Sequence, residues 1–216
     1  AFLPRFFKTG KGEYGEGDQF IGVVVPNLRI VAKKHFDADF DTLRELLASP
    51  YHEYRLTALL ALTYRYAKLK DHTSRETCVN FYVSQVDAIN NWDLVDLSCY
   101  KILGHWLFDK DKQLLYDWAK ENHLWKQRIA MISCMHFVKQ GEFKDALAIA
   151  DLLQHPPHDL IHKAVGWILR EIGKEDEQLL VDYLTPRYKE MPRTMLRYAI
   201  ERFEEEKRKA FLNSTI

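Results

Sequence analysis

No apolar run in these 216 residues approaches the roughly 18 needed to cross a bilayer, so no membrane partner is expected. Cysteine is scarce. Cys78, Cys99 and Cys134 lie far apart and form no CxxC pair, which reads as reduced core thiols of a cytoplasmic protein. Net charge is absent: 31 basic residues balance 31 acidic ones, which counts against a nucleic-acid binder unless the two signs segregate onto different faces. Strand signals are nearly missing, and the only β-branched run, Ile21 to Val25, is stopped by Pro26. Ala1 to Lys8 mixes Arg5 and Lys8 with aromatics and has no small-residue cleavage site, so no signal peptide is read there. The chain starts abruptly inside what reads as a helix, which points to a preceding segment. No Pro/Gly/Ser-rich linker divides the sequence, so residues 1–216 are expected to form a single domain.

What is there is helix. Hydrophobic residues make up 47% and charged residues 29%, a folded rather than a disordered balance. Apolar periodicity predicts helices near 26–36, 39–49, 51–69, 74–89, 91–108, 111–121, 124–140, 143–154, 158–172, 175–185 and 192–204. Pro26 and Pro192 stand where first helical positions are expected. Thr73-Ser74-Arg75-Glu76 matches a capping box, and Gly141 and Gly173 follow apolar stretches as C-terminal caps do. Short helices beginning near Asp39, Thr73, Asp111, Glu142 and Glu175 are separated by 34, 38, 31 and 33 residues. That period predicts an all-α fold, an α-solenoid of HEAT-like helical repeats, curved with a concave groove.

The second helices align on Arg55-Leu56-Thr57-Ala58, Asp96-Leu97-Ser98-Cys99, Arg128-Ile129-Ala130-Met131, Lys163-Ala164-Val165-Gly166 and Arg197-Tyr198-Ala199-Ile200. Four leading positions are basic and one is acidic. In a solenoid such equivalent positions form a row, here an anion-binding groove around one carboxylate. Long charged side chains that merely solvate a helix face are the plainer alternative. Trp92 stands four residues before Asp96 and Trp167 four after Lys163, each pair on one helix face. Aromatics interleaved with cations suit a nucleic-acid groove; core placement, as for Trp106, Trp118 and Trp125, is the competing reading.

Three motifs carry more. They are Asn90-Asn91-Trp92-Asp93-Leu94-Val95-Asp96, the stretch from His158 to Glu171, and Met191-Pro192-Arg193-Thr194-Met195-Leu196-Arg197-Tyr198-Ala199. With Phe7 to Phe20 and Gly22 to Pro26, they make the chain resemble the AlkD family of DNA alkylation repair glycosylases over almost its whole length. The resemblance implies HEAT-like repeats holding duplex DNA in a basic concave groove and hydrolysis of the N-glycosidic bond of positively charged N3- and N7-alkylpurines. It places the lesion-facing pair on Trp92 and Asp96, a second tryptophan on Trp167 and a groove arginine on Arg128. Catalysis is thus expected from Asp96, Trp92 and Trp167, and DNA contacts from Arg128, Lys163, Arg55, Arg197 and Arg193. A cationic purine leaves as a neutral base, so no general acid is needed; an ionised Asp96 stabilises the oxocarbenium-like sugar and orients water.

Other features are discounted. Gly10, Gly12, Gly15 and Gly17 follow no strand and precede no Gly-Lys-Ser/Thr, so they read as a loop. His158 and His162 share a helix face but belong to no HExxH motif, so neither metal nor cofactor is expected. No helix-hairpin-helix signature is present, and the charge run at Glu204 to Lys209 reads as a solvated terminal helix. A monomer acting on duplex DNA with alkylated bases is expected; a non-catalytic HEAT-like scaffold is the alternative.

Overall fold

The structure, a computed structural model, describes residues 2–155 and 158–216. The reading of Ala1–Lys8 therefore begins one residue outside the described part. Two compact units divide the chain, Ala1–Trp106 and Leu107–Ile216. Among the described residues all regular structure is helical, apart from an isolated parallel bridge between Gln19 and Tyr51. No helix among them is long and apolar enough to cross a membrane.

The first unit contains α1 (Phe2–Phe6), α2 (Val25–Lys34), α3 (Phe40–Leu47), α4 (His52–Lys68), α5 (His72–Ser84) and α6 (Trp92–Asp96), and its boundary falls within α7 (His105–Leu107). Helix α4 is buried on nearly every face, through Leu56, Leu59, Leu60, Leu62 and Tyr66, and packs against α2, α3, α5 and α6. A helix apolar all round belongs at the centre of its unit. The second unit contains α8 (Gln113–Lys120), α9 (Leu124–Ser133), α10 (Met135–Val138), α11 (Lys144–Leu152), α12 (Asp159–Glu175), α13 (Glu177–Leu184), α14 (Arg193–Ala199) and α15 (Glu205–Asn213). Its central α12 buries Ile161, Ala164, Val165, Ile168, Leu169 and Ile172, an i, i+3, i+4 stripe, against its neighbours α9, α13 and α14. Each fully buried Leu or Ile contributes about 1.5–3 kcal/mol, whereas an exposed pair such as Lys209–Glu205 contributes roughly 1 kcal/mol at most. The apolar seams therefore hold these helical repeats together. Cys78, Cys99 and Cys134 are buried thiols, as their spacing suggested.

The helix ends depart from the sequence expectation more than the helices do. Helix α5 is capped by Asp71, whose carboxylate accepts from the Ser74 amide at 2.8 Å, so Thr73 heads no capping box. Pro192 is the N-cap of α14 rather than its first helical residue. Gly141 does close α10, with φ at +78°, but Gly173 lies inside α12, where a Cβ would meet the Leu180 side chain at 2.4 Å. The helix expected over 91–108 is broken. Ser98 Oγ donates to the Leu94 carbonyl, and a π-helical turn follows at Tyr100–Gly104. A serine hydroxyl that takes an i−4 carbonyl bends or interrupts a helix, and π turns recur at functional sites.

Gly166 fixes the approach of α14 to α12. A Cβ there would lie 2.5 Å from both the Met195 carbonyl oxygen and the Tyr198 Cβ, neither of which can swing aside. Gly166→Ala gains up to about 1 kcal/mol in helix propensity, yet overpacking costs about 1–3 kcal/mol or more. The clash is with backbone, so the upper end applies. A net loss is expected, read as a Tm lower by roughly 2–4 °C per kcal/mol. A Tm equal to or above the parent's would mean that α14 yields.

Candidate functional site

In the first unit, Trp92 and Asp96 occupy the ends of the single turn α6. Asn91 caps it, its side-chain oxygen accepting from the Trp92 amide at 2.8 Å, and Asp93 places a favourable negative charge in the first turn. Both Trp92 and Asp96 are half-buried. The Phe7 ring stacks on the Trp92 indole at 5.5 Å between centroids, and Phe6 meets it edge-on at 5.8 Å. Nearby Tyr82, hydrogen-bonded to Ser98, has its hydroxyl pKa raised chiefly by burial, with the Asp96 charge among the smaller causes. Trp118 and Trp125 are core residues, whereas Trp92, Trp106 and Trp167 keep partial exposure.

Behind α6 lies a buried polar cluster that sequence reasoning missed. His52 meets Asp18 Oδ2 through Nδ1 at 3.2 Å and Asp93 Oδ2 through Nε2 at 2.8 Å. Asp18 also accepts from Arg55 Nη2 at 2.5 Å and from Asn91 Nδ2 at 3.2 Å. Burial pulls the His52 imidazole down, but hydrogen bonds to Asp18 and Asp93 and their charges lift it to about 9. Burial pushes the Asp18 carboxyl up, but His52 and Arg55 outweigh it and hold it below the usual range. Glu53 accepts from the Ile21 and Gly22 amides at 3.1 and 2.8 Å, which fastens the same N-terminal segment to α4.

Arg55, expected among the DNA contacts, is thus placed differently. It is only 6% exposed, and its guanidinium is taken up by Asp18 and by the Ser49 carbonyl at 3.0 Å. Shared register does not give the row a shared environment, because Arg55 reaches a carboxylate delivered by a distant loop. Asn91, Asp93 and Asp18 of this cluster lie in stretches that carry the resemblance, Asp18 at the end of the glycine-containing loop, but nothing in the sequence pairs them with His52.

In the second unit the predicted cations gather at the start of α12. Arg128, also buried, donates to the Leu160 carbonyl. Lys163 pairs with Asp159 at 2.6 Å one turn earlier. His158 caps α12, its Nδ1 accepting from the Leu160 amide at 3.1 Å. Burial lowers the His158 pKa; the Asp159 charge raises it, but those of His162, Arg128 and Lys163 lower it further. The Asp159 carboxyl is pushed up by burial but held below its usual range by Lys163 and Thr194, which joins the start of α14 to this neighbourhood. Trp167 follows Lys163 by one turn and is half-buried. Arg193 and Arg197 on α14 are exposed, with Arg193 donating to the Leu212 carbonyl at 2.6 Å.

A protein-family profile described as DNA alkylation repair enzyme matches residues 1–203. A solved structure described as a predicted DNA alkylation repair enzyme from Enterococcus faecalis shares 13% identity over 94% of each chain, with a TM-score of 0.71. At that identity the likeness shows the fold, the all-helical repeat class expected from the sequence. Among curated proteins none matches.

Proposed function

Starting from a chain that belongs to the DNA alkylation repair enzyme family, we propose that it is a DNA glycosylase excising positively charged N3- and N7-alkylpurines from duplex DNA. The observation that carries this reading is Asp96 and Trp92 on one short, half-exposed turn, a carboxylate and an indole side by side. An alkylpurine cation leaves with the electron pair of its N-glycosidic bond and becomes neutral, so no side chain has to protonate it. The barrier is the positive charge that develops on the deoxyribose. The Asp96 carboxylate stabilises that charge and takes the proton of the water that adds to C1′. The Trp92 indole packs on the sugar, excludes water and favours a cation, and Trp167 is proposed as a further aromatic contact to the DNA. Lys163, Arg193 and Arg197 contact phosphates; Arg55, committed to Asp18, and Arg128, buried and donating to the Leu160 carbonyl, are left out of that set.

The direct test is release of 7-methylguanine from a methylated duplex in single turnover. Failure to release it would reject the glycosylase reading and leave a DNA-binding scaffold. Affinity for duplex DNA should be insensitive to sequence and fall with salt, each phosphate contact adding roughly 0.9 to the slope of log affinity against log salt. Arg193→Gln and Arg197→Gln should each flatten that slope by about one contact in fluorescence anisotropy titrations. Unchanged slopes would remove these two residues from the interface.

A further inference from the structure

A five-residue helix cannot hold itself, because isolated helices need about 12–15 residues to be even marginal in water. Yet α6 carries both Trp92 and Asp96. What holds it is polar on one side and aromatic on the other. Asn91, with no exposed surface, donates to Asp18, and Asp93, 4% exposed, meets His52. The Phe7 ring stacks on Trp92 and lies 4.7 Å from His52, while Phe20 packs on both Phe7 and His52 at 5.1 Å. All these contacts meet at one imidazole.

Resting on the role given to Asp96 above, we propose that His52 is a positioning residue, clamped between Asp18 and Asp93 so as to set the pose of the Trp92–Asp96 turn for base release. Both ring nitrogens face carboxylates, and two donors exist only in the imidazolium. A neutral ring would turn a lone pair towards one of the two oxygens and release either the N-terminal segment or α6. The groups that face this site are Asp18 from the loop, Asp93 and Asn91 from α6 and its cap, and Arg55 and Glu53 from α4 itself. The rise of the His52 pKa to about 9 agrees with this geometry. None of these side chains needs to touch the substrate. Their effect passes through the backbone of α6.

The experiment compares the parent, His52→Gln, Asp96→Asn and the double variant in single-turnover release of 7-methylguanine, with duplex affinity and Tm measured alongside. His52→Gln is expected to bind DNA within about twofold of the parent and to release base roughly 10- to 100-fold more slowly, since a misplacement near 1 Å can cost about 10² in rate. The double variant should be no slower than Asp96→Asn, because both changes remove the same interaction. The parent should also lose rate as pH rises through about 9, a limb absent from His52→Gln; any limb due to the substrate is common to both. A parental rate in His52→Gln, additive losses in the double variant, or the same alkaline limb in both proteins would overturn the proposal. If His52→Gln does not fold, Asp93→Asn, which keeps shape and removes one clamp partner, faces the same criteria. Should Asp96→Asn itself behave like the parent, the functional reading falls and takes the positioning role with it. Should only His52→Gln behave like the parent, the positioning role alone falls.

Discussion

Asp96→Asn is expected to fold and bind duplex DNA like the parent while releasing a cationic alkylpurine about 10²–10³-fold more slowly. The substitution keeps the shape of the side chain and removes its negative charge, so packing on α6 is unchanged and only the field at the sugar is lost. One preorganised electrostatic contact to a developing charge is typically worth roughly 3–4 kcal/mol, which is the stated change in rate. The loss should be largest for cationic lesions. For an uncharged base the departing nitrogen must be protonated, and the residues gathered here include no group assigned to that task. Single-turnover release from one N7-methylguanine duplex, with affinity measured for both proteins, decides the matter. If Asp96→Asn cleaves like its parent, the carboxylate is structural and the proposed mechanism ends.

Asp18→Ala should act on stability instead, lowering it by about 3–5 kcal/mol. Asp18 has a side chain only 2% exposed and serves Arg55, His52 and Asn91 at once. Its removal leaves two buried cations facing each other with the shared anion gone. Replacing the whole cluster with apolar residues could be nearly neutral; removing one member is not, because the others stay desolvated. The pH dependence follows from the two shifted groups. Asp18 has a depressed pKa, so its contribution is present above about 3.8 and fades as pH falls through the lower folded value. His52 has a raised pKa, so its contribution is complete below about 6.5 and fades as pH rises through about 9. Thermal or urea unfolding of the parent should therefore show both flanks, and Asp18→Ala should be less stable throughout and flatter at each flank. A variant within about 1 kcal/mol of the parent at neutral pH would show that Arg55 and His52 find other partners.

Much of this was legible in advance. Apolar stripes such as that of α12 are periodic over many residues, and the periodicity survives any local detail, so nearly every helix was placed within a few residues. The break after Asp96 was not legible, because it depends on whether the Ser98 hydroxyl turns to the helix backbone or to solvent, and both choices have the same periodicity. Likewise, Thr73 matches a capping box, but the side chain that accepts from the first turn of α5 is that of Asp71. Trp92 and Asp96 stand out in the sequence because they belong to a long motif. Their support does not, because nothing in the sequence pairs His52 with Asp18, 34 residues away, although Asp18 lies in the Phe7–Phe20 stretch. Arg55 shows the same limit from the other side: register places it in a basic row, but nothing in the register tells that a loop brings a carboxylate to it.

The two fastenings of the N-terminal segment differ in what they tolerate over evolutionary time. Glu53 grips the amides of Ile21 and Gly22, not their side chains, and Ile21 is about half exposed. Position 21 is therefore free to drift among residues that keep an N–H and is closed to proline. Position 18 has no such latitude, since its side chain is itself the knot. Related chains should thus vary around a fixed acidic residue, with a strap that changes its lettering while keeping its buckle.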